Sequence, residues 1–209
     1  MTSKFSRIVL PIAVFSLFQS HISAQSFSAL PRGLGVEIGG GQNTFYWSGN
    51  GLTGPFGWTP YNRTDFHLTP NARLTYQKEL ASAIILFPFL GYNHFGGTAT
   101  ENGNRSEYSF HALELGGMIL YGISNVDFGV GFKENYNLYI QYDDSRANVH
   151  DDYTKFFPRW SDNVGFRGSY TIQPISFGLE SWFGISNLAP DPRLNVRENH
   201  FRFLVGYTL

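Results

Sequence analysis

The 209-residue chain contains no cysteine. That absence excludes a disulfide scaffold, a thiolate metal site, a cysteine nucleophile and a lipid-modified cysteine. Charged residues are scarce, at 15%, and balance to a formal net charge of -1, so the electrostatics give no reason to expect nucleic acid as a partner. Long apolar runs are missing as well. Beyond the N-terminal segment the longest, Ala83 to Leu90, falls far short of the ~18 residues a membrane-crossing helix needs. The plentiful residues are Gly (23), Phe (20) and Tyr (12), with aromatics at 17%, which argues against disorder and favours strands and turns over helices.

Lys4 and Arg7 precede the apolar run Ile8 to Phe18, and Ile22-Ser23-Ala24 then supplies a cleavage site before Gln25. Residues 1–24 are therefore expected to be a secretory signal peptide, too short and too interrupted by Pro11 to span a bilayer. Residues 25–209 form the mature domain. Any contact with a membrane would then be made by strands.

From Leu34 onward, stretches of period-two alternation are separated by gaps rich in Gly, Asn, Asp, Pro and Ser. Eight strands are expected: Leu34 to Tyr46, Phe66 to Glu79, Ala83 to Phe95, Tyr108 to Tyr121, Val126 to Tyr136, Val164 to Ile172, Ile175 to Ser186 and His200 to Leu209. Their connections alternate. Trp47 to Asp65, Gly96 to Glu107, Asn137 to Asn163 and Asn187 to Asn199 are long, whereas Leu80 to Ser82, Gly122 to Asn125 and Gln173-Pro174 are short. Long loops at one end, with short turns and both termini at the other, give the layout of an all-β, antiparallel, up-and-down transmembrane β-barrel.

The two faces of the strands decide between a membrane barrel and a soluble one. Phe201, Phe203, Val205, Tyr207 and Leu209 alternate with Arg202, Leu204, Gly206 and Thr208, and Phe177 and Leu179 alternate with Gly178 and Glu180. Eight strands enclose room for side chains and little else, so the polar, glycine-rich set fits inside only if the bulky apolar set faces hydrocarbon. A secreted barrel carrying a hydrophobic ligand would need the reverse. Ile84 to Phe89 is apolar on both faces and leaves the third strand unassigned.

The inward set collects Glu37, Glu114, Asp127 and Glu180 with Arg73, Lys133, Arg167 and Arg202, four acids against four bases. Counting from the short turns puts Glu180 at the height of Arg167 and Arg202, and Glu114 at the height of Lys133, an arrangement expected to plug the lumen with neutralised charge. An ion or proton path is the alternative.

Phe110-His111-Ala112-Leu113-Glu114-Leu115, Gly184-Ile185-Ser186-Asn187-Leu188, the leader ending Ile-Ser-Ala-Gln and the aromatic last strand resemble the outer-membrane β-barrel domain proteins widespread in Bacteroidetes, often labelled porin family. The resemblance covers the mature chain and implies residence in the outer membrane of a Gram-negative bacterium. The chain departs from that pattern at Gly116, where proline is common, at Gly206, and at the terminal Leu209.

Ile185-Ser186-Asn187 also resembles the active-site strand of the barrel enzymes that deacylate lipid A, but Gly184 occupies the position of their general-base histidine. A serine without a base is a poor nucleophile, so no enzyme is expected, and Ser186-Asn187 reads as a turn. His67, His94, His111, His150 and His200 all map to the long-loop end without metal-ligand spacing. Asp143-Asp144 and Asp151-Asp152 lack the glycine-punctuated loop of a calcium site. Trp47, Trp58 and Trp160, with Tyr46, Tyr139, Tyr142 and Tyr153, are expected to form an interfacial girdle or a binding surface. The expectation is a monomer without cofactor or metal, whose partners are outer-membrane lipid, lipopolysaccharide, the barrel assembly machinery and any ligand the outer loops hold.

Overall fold

The computed structural model describes residues 33–48, 69–101, 104–145, 149–189 and 195–209, so the segment expected to be a signal peptide, Trp58 and His67 lie outside the described residues. The strands are β1 (Leu34–Ser48), β2 (Thr69–Tyr76), β3 (Lys78–Ala81), β4 (Ile84–Glu101), β5 (Asn104–Ile123), β6 (Val126–Asp144), β7 (Val149–Asp152), β8 (Trp160–Ile172), β9 (Ile175–Gly184) and β10 (Asn195–Thr208). No helix occurs among the described residues.

These ten strands make an eight-stranded antiparallel barrel. β2 and β3 are one stave interrupted at Gln77, and β7 pairs only with β6, above the wall. β1 pairs with β10, so first and last staves close the cylinder and leave no edge around the wall. The short links are two-residue turns at Ser82-Ala83, Ser124-Asn125 and Gln173-Pro174, with Ser124 at a left-handed φ of 56°. Both ends of the described wall join them there, where Leu209 N–H donates to Leu34 C=O at 2.9 Å.

The long-loop end differs from expectation. Strands run on into segments read as loops: β4 and β5 continue to Glu101 and back from Asn104, β6 reaches Asp144, and β10 begins at Asn195. The early ending assigned to β6 has a local cause. Ala112 pairs with Asn137 and His111 with Tyr139, leaving Leu138 as the extra residue of a β-bulge. The bulge breaks the period-two pattern that carries the strand signal, and beyond it the alternation resumes with Ile140 and Tyr142 inward.

β4 also settles the strand that is apolar on both faces. Ile85, Phe87 and Phe89 are buried inside, while Ile84 and Leu90 are exposed. Room for these interior rings comes from opposing glycines. A Cβ on Gly116 would lie 2.5 Å from Phe89 Cζ and 2.7 Å from Lys133 Cβ, and one on Gly91 would lie 2.3 Å from Arg73 Cβ. The inward neighbours of Gly116 thus leave no room for a side chain there.

Candidate functional site

The interior is layered. Nearest the short turns Ile85, Phe87, Phe89, Met118 and Leu120 form an apolar floor, and Trp182 packs on Phe89 from higher in the wall, in register with His200. Above it lies the charged cluster. All eight residues read as inward, Glu37, Arg73, Glu114, Asp127, Lys133, Arg167, Glu180 and Arg202, are buried.

The partners within that cluster are set across the lumen as well as around the wall. Arg73 donates through Nε and Nη2 to Glu37 Oε2, at 2.9 and 2.6 Å, and through Nη1 to Glu180 Oε2 at 3.1 Å. Arg167 bridges the same two carboxylates, with Nη1 2.7 Å from Glu180 Oε1 and Nη2 2.5 Å from Glu37 Oε1. Glu114 accepts from Lys133 Nζ at 3.2 Å, as the height count implies. Arg202 stands at the counted height but takes another partner. It is the direct register partner of Glu180, yet its guanidinium turns to Glu114 Oε2 at 2.8 Å, because Arg73 from the facing wall already occupies Glu180. Asp127 stands apart at the short-turn end of β6, opposite Ser169.

Aromatic faces complete the cage: the Arg73 guanidinium lies 4.4 Å from the Phe89 ring centroid, Arg167 4.7 Å from Phe87, and Lys133 Nζ 5.1 Å from Trp182. Glu37 and Glu180 each hold two cations and Glu114 three, which offsets the desolvation of ions taken out of water. Arg73, Glu37, Glu180 and Arg167 together cross the lumen, so the cluster acts as a plug.

Above the plug is a polar belt that sequence reasoning missed. Glu198 Oε1 accepts from Asn135 Nδ2 and Ser161 Oγ, both at 2.9 Å, and from Asn163 Nδ2 at 2.5 Å, while His200 Nε2 lies 3.4 Å from Glu198 Oε2. His200 is therefore an interior residue, not a rim residue, and Glu198 is a fifth interior acid. The signal was present: Glu198, His200 and Arg202 share one parity, but the strand was begun too late to include Glu198. Trp182 shares the parity of Glu180 and lies within the expected strand, but as a bulky apolar residue it was passed over in a search for inward polar ones.

The outer mouth is closed by an apolar cap of Phe95, Tyr108, Phe110, Ile140, Tyr142, Leu188 and Val196, with Phe45, Tyr153 and Phe157 packed against it. Tyr153 N–H donates to Ile140 C=O at 2.8 Å, which folds the segment after β7 back over the opening. Tyr142 and Tyr153 thus belong to this cap and not to a girdle. The outward rim is made instead by Tyr136 and Trp160, ring centroids 4.8 Å apart, and by His94 stacked on His111 at 4.6 Å, with Tyr92 Oη 2.5 Å from His111 Nδ1. The side chains of Tyr46 and Trp47 lie outside the described residues.

The remaining candidates are occupied locally. Asp143 is contacted by His150 Nδ1 and by Gln141 Nε2, and Asp152 accepts from the Thr154 hydroxyl and N–H, which holds its carboxyl below the usual range. No group of three or more metal-ligating side chains occurs among the described residues. Ser186 Oγ accepts from Asp162 N–H at 2.5 Å, and a Cβ at Gly184 would meet the Glu198 backbone at 2.8 Å, so position 184 faces the packed interior.

Among solved structures, the chain is similar to Neisserial surface protein A, with a TM-score of 0.51 at 9% identity over 84% of this chain and 97% of that one. The likeness is one of fold. It is also similar to Ail, the attachment invasion locus protein of Yersinia pestis, crystallised with the heparin analogue sucrose octasulfate, with a TM-score of 0.46 at 11% identity over 84% of this chain and 98% of that one. No family model matches the sequence, and no curated protein matches it.

Proposed function

We propose that this protein is a monomeric outer-membrane barrel of a Gram-negative bacterium, with a closed lumen and a structural or surface-binding role carried by its long-loop end. The observation that carries this reading is the inversion of its faces. Phe166, Phe203, Leu179, Ile38, Val130 and Ile119 project outward and exposed around the wall, while four arginine and lysine side chains are buried within. An apolar surface of that continuity is far larger than a water-soluble monomer tolerates, and it suits a hydrocarbon surround. A lining of charged and amide groups likewise leaves no space for a hydrophobic cargo. The role is non-enzymatic in this reading: Gly184 stands where the lipid A deacylases carry their base, and the Ser186 hydroxyl is engaged by the backbone of Asp162.

Membrane fractionation followed by accessibility labelling on intact cells tests this. Cysteines placed in 145–155 should label from outside, and one at Gln173 should not. Labelling confined to position 173 would reverse the topology, and recovery of the protein in the soluble fraction would overturn the membrane reading.

A further inference from the structure

We draw no further inference here: the strongest candidate, the belt of buried amide oxygens beside Glu198 and His200 between the ionic plug and the aromatic cap, belongs to the closed lumen already described, and nothing among the described residues brings those oxygens to a common point where a ligand would sit.

Discussion

Arg73→Ala is expected to lower refolding stability by about 3 to 5 kcal/mol, the range for removing one partner of a buried ionic network. Arg73 holds Glu37 and Glu180 together from the centre of the lumen, and its side chain is fully shielded from solvent. Its loss leaves Arg167 as the one cation bonded to both carboxylates. Urea-dependent refolding into lipid vesicles measures the loss. The same measurement on Arg73→Met with Glu37→Gln should show less destabilisation than the two single changes added together, because the second change removes a charge the first has stranded. A loss below about 1 kcal/mol for Arg73→Ala would mean that the cluster is wet and its ions are individually solvated.

The second large effect belongs to the opposite face. Phe203 is exposed on β10 and faces outward, stacked at 6.5 Å on Phe177 of β9. Phe203→Arg should cost about 2 to 4 kcal/mol in vesicles if that position lies near the bilayer midplane. Thr208→Arg, at the end of the same strand and on the other parity, should cost about 1 kcal/mol or less, since its charge reaches water at the short-turn end. Equal and negligible losses would show that Phe203 does not meet lipid.

Strand number, antiparallel order and the inward residues were legible because each depends on period-two alternation, which a barrel imposes stave by stave. The same signal failed where the fold breaks the period or reverses its polarity. Leu138 hides the upper half of β6 by adding one residue to the strand. Near the mouth the inward parity becomes apolar, with Phe95, Tyr108, Phe110 and Tyr142; the first three lay within the expected strands, but a polar-inward pattern gives no sign that they close the mouth. The heights of the charged residues could be counted along each stave, and Arg202 does pair in register with Glu180. Which carboxylate a long guanidinium reaches across the lumen depends on barrel diameter and shear, and a linear sequence carries neither directly.

The central claim is a lumen closed at three levels, by the apolar floor, the ionic plug and the aromatic cap. Planar-bilayer recording of the purified wild-type protein tests it most directly. The account predicts no steady open-channel current for the wild type, and for Glu180→Gln, which weakens only the middle level, nothing beyond small, brief events. Large, long-lived conductance steps from the wild type would contradict it and would mean that the lumen is an open pore.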